Sequence, residues 1–361
     1  MTYKTLYTLV ERESYWLRQR IESLKGRRVA VFPAGLTAQA FYHTLLNDYG
    51  IEADYFIDNN PDLTGTYICD KQVILRPWED NPNFADEYFI LIPTLAEFYF
   101  QIAEQMENVN ILSYMHADSF SACQLWDRYK NVLNLLDDEK SKISYLGAIY
   151  SMLTHNNSFI QCERNPYFSI RQFVYNGFDT VVDAGAYTGD TVEEYIKHGF
   201  GSEKIKIYAF EPYGSALSKL EARIKRLKDE WFITDTDIII VPAGVGSETK
   251  QIRYANANAN MLKQSEQGDF ELMIYSLDDY FKDKKSFTIL KADIEGGEMD
   301  MLKGAKKTIQ RHKPKITICI YHSPQDFARI AEYIKDLVPE YNFAIRNHFY
   351  DHRETILYCW V

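Results

Sequence analysis

The chain has 361 residues, 46% of them apolar, which is enough for packed cores in two domains and too many for a disordered polymer. Its net charge of −11 and pI near 5.3 argue against nucleic acid as a partner, since such proteins present a basic face. Five scattered cysteines with no CxxC pair exclude a zinc knuckle and a disulfide framework, so reduced thiols are expected.

Residues 3 to 25 repeat apolar positions near helical period and predict an amphipathic helix. This N-terminus has no apolar core of signal-peptide type, and no segment approaches the length that spans a bilayer. A soluble, cytoplasmic protein is the expectation. A β/α alternation follows. RRVAVF, ADYFID, YFILIPT and VNILSY read as strands, AGLTAQAFYHTLLNDYG and EFYFQIAEQM as helices, and NNPDLTGTY as a turn-rich loop. Such alternation implies a parallel sheet. Within RRVAVFPAGLTAQAF, Gly35 stands where a dinucleotide turn has a glycine, but Pro33 and Ala38 fill the neighbouring glycine positions. Asp58 ends the second strand, where a ribose-binding acid sits. A substrate-recognition or assembly role is expected of this domain; the missing glycines weigh against a bound pyrophosphate and leave a nucleotide or nucleotide-sugar ligand open.

Residues 117 to 164 have few breakers and carry apolar positions from Phe120 to Leu153 at helical spacing, so a helical connector is expected. The boundaries are then 1–26 for the leading helix, 27–116 for the Rossmann-like accessory domain and 165–361 for the second domain. In that last part the strands are DTVVDAG, KIYAFEP, DIIIVPAGV, SFTILKAD, KITICIYH, FAIRNH and TILYCWV. Only the short loop FYDHRE separates the last two, which predicts an antiparallel hairpin. Two further strand-like runs, KQIRYAN and FELMIYSL, flank NANANMLKQSEQGD, whose asparagines suit turns or sugar hydroxyls. Seven strands with a terminal hairpin are the layout of class I methyltransferases. The fold class expected is α/β, with two Rossmann-like units.

VVDAGAYTGDT runs from strand to helix. Gly185 and Gly189 permit a tight turn, and Asp190 and Thr191 are placed to cap the next helix. The spacing is Asp-x-Gly-x-x-x-Gly, which resembles an adenosylmethionine-binding turn. Glu211 ends the next strand, where a carboxylate accepts ribose hydroxyls. Asp293 lies at the end of the apolar run SFTILKAD, where a carboxylate contributes nothing to a sheet, so a functional role is expected. Glu298 and Asp300 are expected chiefly to start a single helix running to Pro314.

VVDAGAYTGDT, YAFEP, YSLDDY, ILKADIEGGEMDMLKGA and KPKITICIYH occur in the order and spacing of the FkbM-type methyltransferase family, and the resemblance covers about residues 165 to 361. It implies adenosylmethionine-dependent O-methylation of a hydroxyl on a sugar, glycoconjugate or secondary metabolite. It implies that Asp183, Gly185, Gly189 and Glu211 hold the cofactor and that Asp293 and Glu295 line the reaction centre; Tyr187, Asp190, Thr191, Pro212 and Asp293 are further cofactor contacts expected along the same turns, and His322 is expected at the same sheet edge. At one point the chain departs from many members, which carry a carboxylate shortly before the fifth-strand histidine; here Ile320 and Tyr321 precede His322.

Methyl transfer to an aliphatic hydroxyl calls for a general base, and Asp293 and His322 are the candidates. Asp293, Glu295, Glu298 and His322 also offer metal ligands, but no ligand spacing is diagnostic and no metal is assigned. The partner expected is a small-molecule or glycan acceptor, without nucleic acid or membrane span; the oligomeric state is open. Two alternatives are an NAD- or nucleotide-sugar-binding oxidoreductase or epimerase acting through residues 27–114, and a non-catalytic binding protein that keeps a cofactor fold. The first lacks GxGxxG; the second sits poorly with Asp183, Glu211 and Asp293 occurring together.

Overall fold

The computed structural model describes residues 2–174, 179–198, 206–212, 214–233, 238–256, 262–264 and 270–361. The chain divides into two units, Met1–Arg128 with Leu146–Phe159, and Tyr129–Tyr145 with Ile160–Val361.

In the first unit, helix α1 (Tyr3–Ser23) starts at Thr2, whose hydroxyl accepts the Thr5 N–H. Then come β1 (Arg28–Val31), α2 (Leu36–Tyr49), β2 (Ala53–Asp58), β3 (Tyr67–Ile68), β4 (Lys71–Leu75), α3 (Phe84–Glu87), β5 (Tyr88–Ile92), α4 (Ala96–Asn108) and β6 (Tyr114–His116). The sheet order is β3-β4-β2-β1-β5-β6, parallel except for β3. Alternate strand residues serve opposite faces. Val31, Phe56 and Leu91 pack into one apolar cluster, and Ala30, Ile57, Ile90 and Ile92 into another. A parallel sheet buried on both faces needs such two-sided apolar strands. Sequence pattern predicts four strands here, and the structure adds the hairpin β3–β4. Its two-residue turn, Cys69–Asp70, has φ of +48° and +61° without a glycine, so the usual turn signal is missing. The last strand lies at 114–116 rather than 109–114, because α4 runs on to Asn108.

Helices α5 (Ala117–Leu135) and α6 (Glu139–Thr154) make up the connecting stretch, and the division between units falls within each of them. The second unit then runs through β7 (Thr180–Ala184), α7 (Asp190–His198), β8 (Lys206–Phe210), α8 (Gly214–Trp231) and β9 (Ile238–Val241). A small sheet of β10 (Gly244–Val245), β11 (Lys250–Asn256), β12 (Leu262–Gln264) and β13 (Phe270–Tyr275) follows. The chain ends through α9 (Leu277–Tyr280), β14 (Ile289–Ala292), α10 (Glu298–Gly304), α11 (Lys306–His312), β15 (Lys315–Cys319), α12 (Asp326–Leu337), β16 (Asn342–Asn347) and β17 (Thr355–Trp360).

The main sheet has the order β16-β17-β15-β14-β7-β8-β9. Its seven strands and terminal hairpin are those expected; β17 inserts between β15 and β16, antiparallel to both. Residues 257–261 and 265–269 of the asparagine-rich insert lie outside the described residues. The helix expected from Glu298 to Pro314 is instead two helices. Gly304 approaches Gly246 so closely that an added Cβ would sit 2.0 Å from the Gly246 carbonyl oxygen. Asp278 then restarts the helix by accepting the N–H groups of Lys307 and Thr308.

Candidate active site

Strand β7 sits where chain order reverses, with β8 and β9 on one side and β14 and β15 on the other. In an open parallel sheet, that reversal leaves a crevice at the carboxyl ends of the strands. A cleft of about 880 Å³ opens there, lined by Gly185, Tyr187, Glu211, Asp293, Tyr321 and Glu354 among others. A smaller, more open hollow of about 560 Å³, lined by Ile224, Lys225, Lys228, Ile233 and Ile240, touches none of the strand-end turns.

The floor of the site is a buried ion pair. Parallel register sets Lys291 of β14 beside Asp183 of β7, on the two central strands. Lys291 Nζ lies 2.9 Å from Asp183 Oδ1 and donates to the Gly185 carbonyl oxygen at 2.7 Å. Burial pushes the Asp183 carboxyl up, against the pull of Lys291. Burial pulls Lys291 down, but Asp183 and Asp293 outweigh it and hold the ammonium charged. Asp183 is fully buried and does not line the cleft, so its role is to anchor Lys291 behind the first turn.

That turn is shaped by protein packing. Gly185 has φ +77°, and an added Cβ would lie 1.9 Å from the Asp293 carbonyl oxygen. Only glycine lets the end of β7 approach the end of β14 so closely. Gly189, at φ +86°, is pressed against Leu220 of α8 in the same way and lies away from the cleft. Helix α7 begins at Asp190, so Asp190 and Thr191 form its first turn and face the cleft. Glu211, at the end of β8, is nearly buried, and its Oε2 accepts the Tyr187 N–H at 2.8 Å. Tyr187 itself is 54% exposed, with φ +45°. Pro212 follows on the same rim.

The opposite wall is acidic. Asp293 accepts two phenolic hydroxyls, Tyr167 on Oδ2 and Tyr321 on Oδ1, both at 3.3 Å. Burial raises both phenols well above their ordinary range, so they stay protonated donors. The Tyr358 hydroxyl accepts the Tyr167 backbone N–H, and the Tyr167 hydroxyl itself lies 3.8 Å from Cys319 Sγ of β15. Tyr321 OH also lies 3.2 Å from Glu354 Oε1, so one hydroxyl proton is shared between two carboxylates. Burial, followed by Asp293, raises the Glu354 carboxyl above its usual range. Glu295 is exposed, at φ +55°, with Oε2 3.7 Å from His322 Nε2.

His322 stands among these acids. Nδ1 is 3.1 Å from Glu298 Oε1, and Nε2 is 3.5 Å from Asp293 Oδ1 and 3.7 Å from Glu295 Oε2. Burial works against the imidazolium, but Glu298, Asp293 and Glu295 prevail and push its pKa up to about 9. At neutral pH the ring holds its proton, so a role as general base at that pH does not follow from this geometry. Glu298 also differs from expectation. It opens α10, but it is fully buried and its Oε1 accepts the Ile294 N–H, whereas Asp300 is exposed and pairs with Lys303.

Of the residues singled out by sequence, the structure gathers Gly185, Tyr187, Asp190, Thr191, Glu211, Pro212, Asp293 and Glu295 around one cleft. Lys291, Tyr167, Tyr321 and Glu354 were not foreseen. Lys291 carries the same signal as Asp293, a charge inside an apolar strand run. Glu354 lies in FYDHRE, where a polar residue is the ordinary composition of a hairpin loop. The fifth strand lacks an acid before His322, yet Glu354 brings a carboxylate to the hydroxyl of Tyr321.

Residues 183–345 match the family model described as methyltransferase FkbM domain. No curated protein matches the sequence. Among solved structures, the chain is similar to the methyltransferase FkbM of Methylobacillus flagellatus KT, at 20% identity and a TM-score of 0.61, with 99% of this chain and 100% of that one covered. That likeness is one of fold. Weaker matches are a putative rRNA-methylase from Clostridium thermocellum (12% identity, TM-score 0.37, 55% and 96% covered) and Aeropyrum pernix fibrillarin with natively bound S-adenosyl-L-methionine (11%, 0.32, 52% and 67%).

Proposed function

With residues 183–345 belonging to the FkbM methyltransferase domain family, we propose that the chain transfers a methyl group from S-adenosylmethionine to a hydroxyl of a sugar, glycoconjugate or secondary metabolite. The observation that carries this reading is the joint placement of Glu211 and Asp293 on one cleft, either side of the first-strand turn. The residues present fit such a cofactor. Glu211 is nearly buried at a strand end, with one oxygen already oriented by the Tyr187 N–H, as a carboxylate serving ribose hydroxyls requires. Ile252, Leu272 and Ile274 add an apolar wall suited to an adenine ring. Asp190 and Asp293 provide negative charge for the ammonium and sulfonium of the methionyl end.

When bound, the cofactor supplies an electrophilic methyl on sulfur. The chain's residues have two tasks. The first is to hold the acceptor oxygen in line with that methyl, which converts a bimolecular encounter into a positioned one. Asp293 suits this task, because two tyrosine hydroxyls fix its carboxylate and leave it partly open to the cleft. The second is to take the hydroxyl proton. Glu354 suits this task, because it faces the same cleft and burial raises its proton affinity toward the working pH. Glu295 closes the exposed side, and His322 offsets part of the surrounding negative charge.

The test is direct. A thermal-shift series on the full chain with S-adenosylhomocysteine, S-adenosylmethionine, NAD and UDP-sugars should raise the melting temperature with the first two. Methyl transfer to a panel of sugars and nucleotide-sugars should then be lost in Asp293→Asn. No shift with S-adenosylhomocysteine, or a shift with NAD alone, would sink this reading.

A further inference from the structure

Two buried groups in the acidic wall, themselves 3.1 Å apart, keep polar atoms without an aligned hydrogen bond. Glu298 is fully buried, and its Oε2 has no hydrogen-bond partner. The His322 side chain is only 9% exposed, and neither ring nitrogen has an aligned hydrogen-bond partner. Leaving such atoms unsatisfied costs about 1–3 kcal/mol each, and more when they are charged. The distances from Nε2 to Asp293 Oδ1 and Glu295 Oε2, 3.5 and 3.7 Å, are too long for good hydrogen bonds. They are the right length for something else. Two donors each about 2.1 Å from a common ion, at a tetrahedral angle, stand roughly 3.4 Å apart.

We propose that Asp293, Glu298 and His322 form a binding site for one divalent transition cation, of the Mn²⁺ or Zn²⁺ kind, with Glu295 beside it. Each of the three brings one donor atom to within 4.8 Å of the others. Each N–H of an imidazolium meets one acceptor along its own direction, whereas a cation with four to six coordination positions gathers one ring nitrogen and several carboxylate oxygens together. An imidazole among carboxylates favours Mn²⁺ or Zn²⁺ over Mg²⁺ and Ca²⁺, which prefer all-oxygen shells. The ligands are also braced from behind. Tyr167 and Tyr321 hold Asp293, and the Ile294 N–H holds Glu298 Oε1. Such support sets ligand orientation. The field around the site is negative, with Glu354 reaching the same Tyr321 hydroxyl as Asp293. The site stands by itself. Only its use rests on the methyl-transfer reading, in which the cation would lower the pKa of an acceptor hydroxyl at Asp293.

The experiment uses the full chain, stripped with EDTA and dialysed. MnCl₂ is titrated in, with bound ion read from loss of the free Mn²⁺ electron paramagnetic resonance signal; ZnCl₂ is titrated by calorimetry. The expected result is saturable binding of one ion per chain, weakened roughly tenfold or more in His322→Gln and in Asp293→Asn. An unchanged circular dichroism spectrum and a cooperative melting transition in each variant report that its fold is kept. Asp293 is partly exposed, so its variant serves if His322→Gln does not fold. Absence of saturable binding by the wild-type chain would overturn the proposal, as would equal affinity in the variants. Metal binding without S-adenosylhomocysteine binding would spare the cation site and remove the methyl-transfer reading; the converse would do the reverse.

Discussion

Replacing Lys291 by Met should damage the second unit more than any surface change. Lys291 is almost fully buried between central strands, 2.9 Å from an Asp183 carboxylate that is itself fully buried. The variant keeps the volume of the side chain but leaves that carboxylate without its cation. Removing one partner of a buried pair costs about 3–5 kcal/mol, because the remaining charge is uncompensated. For a domain of some 200 residues, each kcal/mol lowers the melting temperature by about 2–4 °C, so a drop of about 6–20 °C is expected. The loss should be partly recovered in Asp183→Asn/Lys291→Met, where no charge is stranded. The assay is differential scanning calorimetry of the full chain. With two units there is no single two-state transition, so the one that moves on adding S-adenosylhomocysteine is followed. Affinity for that ligand should also fall, since Lys291 Nζ holds the Gly185 carbonyl oxygen of the cofactor turn. A drop of less than about 2 °C, or a double variant no more stable than Lys291→Met, would refute the account.

Glu211→Gln should fold normally and bind S-adenosylhomocysteine about 5- to 150-fold more weakly by calorimetry, the equivalent of about 1–3 kcal/mol for a charged hydrogen-bonding group. Glu354→Gln should keep that affinity while lowering turnover by about 10²–10⁴-fold in the methyl-transfer assay; unchanged turnover would dismiss Glu354 as the base. Gly304→Ala should destabilise the second unit by about 1–3 kcal/mol, because its Cβ would press on the Gly246 carbonyl oxygen at 2.0 Å. A neutral Gly304→Ala, on a helix that otherwise gains from alanine, would show that the approach relaxes freely.

The order of strands and helices was legible because buried parallel strands are written as apolar runs, such as TVVDA and ILKA, whose residues are all buried. Glu211 and Asp293 were legible for a related reason: a carboxylate ending such a run has no structural use. The β3–β4 hairpin was not, since Cys69 and Asp70 turn the chain without glycine. The break at Ala305 was not either, since it depends on Gly246 and Asp278, distant in sequence.

The sequence by itself determined most of the strands and helices, where the first turn and the strand-end acids lie, and the resemblance to the FkbM methyltransferase domain that the family model finds over residues 183–345, because those signals are local and periodic. Tertiary structure alone decided which charges meet. Register pairs Asp183 with Lys291, and a hairpin loop delivers Glu354 to Tyr321. The same folding encloses Glu298 and His322 with three of their polar atoms lacking an aligned hydrogen bond. Burial and proximity between distant segments shift proton affinities and create binding sites, and neither quantity is a property of any one stretch of chain.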